Sequence, residues 1–121
     1  MNFTNEKAIF LQIADHFFDS ILAGKWPEGE RIPSVREMAL AMEVNPNTIM
    51  RTYSYLQDND VVFNRRGLGY FVSPSAKERV KAIKRNNLIE NELPKLFEAM
   101  RLLEIDFEEL RELFSIHHSK L

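Results

Sequence analysis

Asn47, Thr48 and Arg51 set an amide, a hydroxyl and a guanidinium close together near the middle of the chain. Those groups match the donor and acceptor pattern that base edges present in the major groove of DNA. The chemistry on offer is therefore recognition by hydrogen bonding. Covalent chemistry is not: the 121 residues hold no phosphate-binding glycine loop, no metal motif and no nucleophile set beside a base. The absence of cysteine removes disulfides, thiolate ligands and cysteine nucleophiles together. His16 has no second histidine or carboxylate at the i+4 ligand spacing, and His117 and His118, as helix neighbours, point about 100° apart. No enzymatic activity, metal or cofactor is expected.

Two short helices joined by a tight turn are needed to hold the three groups. Ser34 followed by Glu37 is a capping box, in which the hydroxyl accepts from the N3 backbone and the carboxylate reaches back to the cap N–H. A helix therefore starts at Val35, with Val35, Met38, Ala39 and Met42 on one face. Glu43-Val44 interrupts the pattern, and Asn45-Pro46 opens a second helix: asparagine caps the exposed amides, and proline at N1 gives up an N–H that has no partner. Ile49, Tyr53 and Leu56 form the buried stripe of this helix, which leaves Asn47, Thr48 and Arg51 toward solvent. Tyr55 is counted with the same face, and Ser34 and Asn45 with the capped helix ends. The result is a helix-turn-helix, whose second helix offers its first turns to base edges. A plain helical hairpin with a polar outer face would show the same two caps.

The flanks favour the first reading. Residues 6–23 form a helix with Ile9, Ile13, Phe17 and Ile21 on a stripe that Phe10, Ala14 and Phe18 widen, and Gly24 ends it. Pro27 and Gly29 mark a turn, Arg31-Ile32 allows one short edge strand, and Trp26 reads as a packing anchor rather than a platform for bases. Asp58-Asn59 can close the second helix, because asparagine tolerates the left-handed cap conformation. Val61–Phe63 and Tyr70–Val72 then form a β-hairpin whose turn carries Arg65, Arg66, Gly67 and Gly69. Placed directly after a helix-turn-helix, such a hairpin is a wing. Its glycines let the backbone approach a groove, and its arginines can neutralise phosphate or enter a narrow minor groove.

From about Ile9 to Val72 the chain resembles the winged helix-turn-helix of GntR-type bacterial transcription regulators. Pro27-Glu28-Gly29-Glu30-Arg31-Ile32-Pro33-Ser34-Val35-Arg36-Glu37 is similar to that family's opening motif, Asn45-Pro46-Asn47-Thr48 to the turn into its recognition helix, and Gly67-Leu68-Gly69-Tyr70-Phe71-Val72 to its wing. The resemblance implies DNA contacts for Arg36, Asn47, Thr48, Arg51 and Gly67. Many members carry arginines at the positions of Pro46 and Met50, so no operator sequence carries over. Asn-Pro-Asn-Thr with a short tail is similar to the YtrA-like branch, whose members are often encoded beside transporter genes.

Charge is arranged rather than abundant: the formal net charge is −2, and acids slightly outnumber cations over residues 1–73. From Val61 to Ile89, however, Arg65, Arg66, Lys77, Arg79, Lys81, Lys84 and Arg85 face only Glu78, which extends a basic field from the wing. Lys77 and Arg79 are expected nearest the DNA. Ser73-Pro74-Ser75 divides a DNA-binding domain, 1–75, from a helical tail, 76–121. In the tail Ile89, Leu93, Leu96, Met100 and Leu103 recur at helical spacing, Pro94 should kink or split the helix near Glu90, and Asp106 caps a last helix bearing Phe107, Leu110 and Phe114. That αα-hairpin could fold onto the winged domain, enclose a metabolite or pair with a second copy; pairing is expected, because operators are commonly read as two half-sites by two-fold symmetric proteins.

The sequence thus predicts a mainly α fold with a small β-hairpin, a winged helix-turn-helix followed by an αα-hairpin. Its expected role is that of a cytoplasmic, homodimeric regulator of transcription, a repressor, on a double-stranded operator. No signal peptide, membrane span or membrane partner is expected, and no effector ligand is named. A protein-interaction adaptor on the same scaffold is the alternative, followed by an RNA-binding winged helix.

Overall fold

The computed structural model describes residues 7–120. In chain order these form α1 (Ile9–Leu22), α2 (Val35–Met42), α3 (Pro46–Asp58), β1 (Val62–Arg65), β2 (Gly69–Val72), α4 (Ala76–Asn87), a π-helical turn (Leu88–Glu92), α5 (Leu93–Leu103) and α6 (Phe107–Ser119). The fold is mainly α with one antiparallel hairpin, as expected. Two compact units divide the chain, one ending at Ile83 and the other beginning at Lys84.

The first unit is built on α1 and α3. Ile13, Phe17, Ile49, Tyr53, Leu56 and Val72 are wholly buried together. Thr52 is also wholly buried, and its hydroxyl lies 3.1 Å from the Phe10 carbonyl and 3.0 Å from that of Thr48, so α3 is bonded to the first turn of α1 or to itself. The Tyr53 hydroxyl donates to the Pro33 carbonyl at 2.6 Å and ties α3 to the segment before α2. Burial, with Tyr70 and Glu37 nearby, pushes that phenol well above its ordinary pKa. Trp26 packs edge-on against Phe17, ring centroids 4.4 Å apart, in the anchoring role expected of it.

Helix α1 begins at Ile9 rather than at residue 6, which lies outside the described residues. Ile9 was expected in the core and is 45% exposed. A row of residues spaced by four drifts about 40° per step around a helix of 3.6 residues per turn, so two steps before Phe17 the row has left the face that Ile13, Ala14, Phe17 and Phe18 bury.

The helix starts follow the sequence. Glu37 N–H donates to Ser34 Oγ at 3.1 Å and Ser34 N–H to Glu37 Oε1 at 3.0 Å, completing the capping box. Asn47 N–H donates to Asn45 Oδ1 at 2.8 Å, with Pro46 in the first turn of α3. The helix ends use another device. Glu43, Asp60 and Glu104 adopt left-handed conformations (φ 56°, 58° and 58°) after α2, α3 and α5. After each, the following amide reaches back into the helix: Val44 to Ala39, Val61 to Leu56 and Ile105 to Met100, at 3.1, 2.9 and 2.9 Å. Asn59, expected to be the left-handed residue of α3, has φ −97°, and Asp60 takes that place.

The hairpin pairs Val62 with Val72 and Arg65 with Gly69, so Asn64 and Arg65 belong to the strand rather than to the turn, which is Arg66-Gly67-Leu68. Leu68 N–H donates to the Arg65 carbonyl at 2.8 Å, and Gly67 supplies the positive φ of 79° that the turn requires. The short edge strand is reduced to a single bridge between Arg31 and Phe71, flanked by Ile32 N–H to Tyr70 O and Val72 N–H to Glu30 O.

Ala76 and Val80 of α4 are wholly buried in the core of the first unit, which is why that unit runs on past Ser75 to Ile83. In the second unit the π-helical turn stands where Pro94 was expected to disturb the helix: proline at the start of α5 lacks the N–H for a regular ladder, and Leu93 N–H bonds to Leu88 O instead. Asp106 caps α6 by accepting from Glu109 N–H at 2.9 Å. No described residue of the second unit is buried.

Candidate nucleic-acid interface

The start of α3 is fixed from three directions. Asn45 accepts from the Asn47 amide in its first turn, Tyr55 packs on the Phe10 ring of α1, and Tyr53 meets both the segment before α2 and the Tyr70 ring of β2, 4.9 Å away. Around this anchored stripe Asn47 and Arg51 are exposed and Thr48 is half-buried. Ser34 stands at the first turn of α2, its oxygen occupied by the cap and its proton left to give, with exposed Arg36 beside it.

Arg51 does not extend freely into solvent. Its guanidinium lies 4.2 Å from the centre of the Phe10 ring, a cation–π contact that turns it toward α1. Tyr55 leans the same way, half-buried between the rings of Phe10 and Phe18, with centroids 6.1 and 6.4 Å away. Arg65 lies along the wing, 5.8 Å from the centre of the Phe71 ring, whereas Arg66 and Gly67 occupy the exposed turn.

Lys77 lines a groove with Trp26, Pro27 and Glu28; Gly29, next in the chain, donates its N–H to the Val72 carbonyl at the base of the hairpin. Arg79 stands 3.9 Å from Asp60, an exposed pairing that sequence spacing does not show.

Other residues of this surface escaped the sequence reading. Arg31 lies over Gly69: a Cβ added to that glycine would sit 3.1 Å from Arg31 Nε, and Gly69 also has φ 112°. The same arginine helps lower the pKa of Glu37, although the N–H and hydroxyl of Ser34 contribute more. Leu40, Met50 and Leu68 expose 75%, 46% and 58% of their surface on α2, α3 and the wing turn. For Met50 the signal was present, since it falls outside the stripe of Ile49, Tyr53 and Leu56; for Arg31 only the fold could provide it.

Residues 10–72 match the profile of the bacterial regulatory proteins of the gntR family, more than half of the chain. The chain belongs to the GntR family. It is similar to two proteins of Bacillus subtilis (strain 168). One is the uncharacterized HTH-type transcriptional regulator YhcF, 45% identical over 75 residues that make up 62% of either chain. The other is the HTH-type transcriptional repressor YtrA, 31% identical over 98 residues, 81% of this chain and 69% of YtrA. The matched stretch thus spans less than two thirds of the length of YhcF. Among solved structures, a putative transcriptional regulator of the GntR family from Bacteroides thetaiotaomicron superposes with a TM-score of 0.83 at 38% identity, covering 93% of this chain and 98% of that one. This GntR chain is accordingly a DNA-binding regulator of transcription and not an enzyme. No helix among its described residues is long and apolar enough to cross a membrane.

Proposed function

We propose that the chain is a cytoplasmic repressor that binds, as a homodimer, an operator of two related half-sites. Each copy sets the start of α3 in the major groove, with Asn47, Thr48 and Arg51 toward base edges and Ser34, Asn45 and Arg36 toward the flanking backbone. Arg65, Arg66 and Gly67 of the wing meet the adjacent phosphates or minor groove, Tyr55 braces α3, and Lys77 adds positive charge outside this patch.

The observation that carries the dimer is the second unit itself. Ile89, Leu96, Leu103, Phe107 and Phe114 are 44%, 40%, 69%, 69% and 64% exposed, and Leu93, Met100 and Leu110 are only half-buried. Covering one leucine or phenylalanine contributes roughly 1.5–3 kcal/mol, so several on a self-complementary face can sustain association. Half-sites would then be centred roughly 34–36 Å apart, or a multiple of that. The name of YtrA, a repressor, supports the direction of control.

Selection of binding sites from random duplex DNA, followed by sedimentation with and without the selected duplex, tests this. A two-fold symmetric consensus, a dimer at micromolar concentration and an affinity that falls steeply with salt are expected. A monomer, or binding indifferent to both sequence and salt, would sink the proposal. Transcription in vitro from a promoter carrying the consensus then separates a repressor from an activator.

A further inference from the structure

Met50 is an apolar side chain on the face of α3 that the proposed function turns toward base edges. It is 46% exposed, while Ile49 beside it is wholly buried. Successive residues of an α-helix stand about 100° apart, and the flanks of α3 are identified by their contacts. Arg51, Thr52 and Tyr55 mark the flank toward α1 through the Phe10 ring and carbonyl. Tyr53, packed on Tyr70 of β2, marks the flank toward the wing. By the same geometry Met50 lies about 60° from Tyr53 and about 100° from Arg51, and it borders an open groove on the outer face with Phe10, Arg51, Ser54 and Tyr55. Asn47 and Ser54, one turn before and after, are exposed around it.

The fold makes no use of this side chain, since Met50 is absent from the core and from the half-buried residues packed on it. In the major groove the single apolar group on a base edge is the 5-methyl of thymine. An unbranched, polarisable thioether adapts its shape to such a small target. Resting on the placement of α3 in the major groove, we propose that Met50 packs against a thymine methyl and selects thymine at one position of each half-site.

Replacing each thymine of the selected operator in turn by uracil removes the methyl and keeps the pairing. Titration of the full chain at fixed salt should show one thymine per half-site whose replacement weakens binding roughly three- to fivefold, the loss expected for one uncovered methyl group. Met50→Ala should bind thymine and uracil forms of that position equally, and Met50→Leu should keep most of the preference. Thermal melting of Met50→Ala should match the parent, since the side chain is exposed. The inference is overturned if no position shows a methyl preference that Met50→Ala abolishes, or if Met50→Ala weakens all duplexes alike. Weakening by Asn47→Ala without any methyl effect would leave the DNA-binding face standing and remove this inference alone. Absence of any selected operator would remove both.

Discussion

Thr52 has one hydroxyl proton and two carbonyl oxygens within reach, and only one of them, at Phe10, belongs to another helix. Thr52→Val fills the same space without a donor, so it should cost about 0.5–1.5 kcal/mol in urea denaturation, the net contribution of one hydrogen bond. A null effect would show that neither carbonyl gains from the hydroxyl. Glu37 gives a pH signature. Its pKa is held below 4.5 by the N–H and hydroxyl of Ser34 and by Arg31. A depressed folded pKa contributes stability that is present above the unfolded value and lost as pH falls through the folded one. The melting temperature of the parent should therefore exceed that of Glu37→Gln at neutral pH, and the gap should close below about pH 4.5; a gap constant with pH would contradict the assigned cause. On the DNA side, Arg51→Ala should relax the preferred base at one position, a discrimination of roughly 1–3 kcal/mol, whereas Arg65→Ala should weaken binding evenly across sequences. Unchanged affinity and preference for both variants would remove these arginines from the interface.

At the scale of elements, the helix starts marked by a capping side chain were legible, and the left-handed residues that close α2, α3 and α5 were not. A capping box or an Asn-Pro pair is a local bargain between neighbouring residues, so Ser34 to Glu37 and Asn45-Pro46 could be read without the fold. Ends set by glycine, such as Gly24, were equally plain. Glu43 and Glu104 gave no such sign, because glutamate does not prefer the left-handed region, and Asp60, which tolerates it, stands beside an asparagine that tolerates it as well; the amides of Val44, Val61 and Ile105 hold the three there. The wing was visible in its glycines, but its register was not, since pairing Arg65 with Gly69 depends on a turn bond from Leu68. The orientation of Arg51 and Tyr55 depended on Phe10, distant in sequence, and periodicity could not supply it. A non-glycine residue in the left-handed region costs about 1–2 kcal/mol. Glu43→Gly should therefore stabilise the chain by up to about 1 kcal/mol once the greater freedom of unfolded glycine is offset. A loss in chemical denaturation would show that the Glu43 side chain contributes more than its backbone strain.

At the scale of the molecule, Val80 decides where the chain can be cut. A chain ending at Ile83 keeps Ala76 and Val80 in the core, whereas one ending at Ser75 loses them. The shorter chain should be less stable by roughly 2–3 kcal/mol, and the longer one should fold as a monomer that binds the operator far more weakly than the proposed dimer. Sedimentation and thermal melting of the two distinguish these outcomes. Trp26 makes one part of such measurements simple. It is the only tryptophan, and Tyr53, Tyr55 and Tyr70 are the only tyrosines, so every strong near-ultraviolet chromophore lies in the first unit. The second unit is optically silent there while contributing its helices to far-ultraviolet circular dichroism. Without any label, fluorescence therefore follows the melting of the reading head and dichroism that of the whole chain, and a tail that melts separately shows as a gap between the two curves, one that moves with protein concentration if two copies are coming apart.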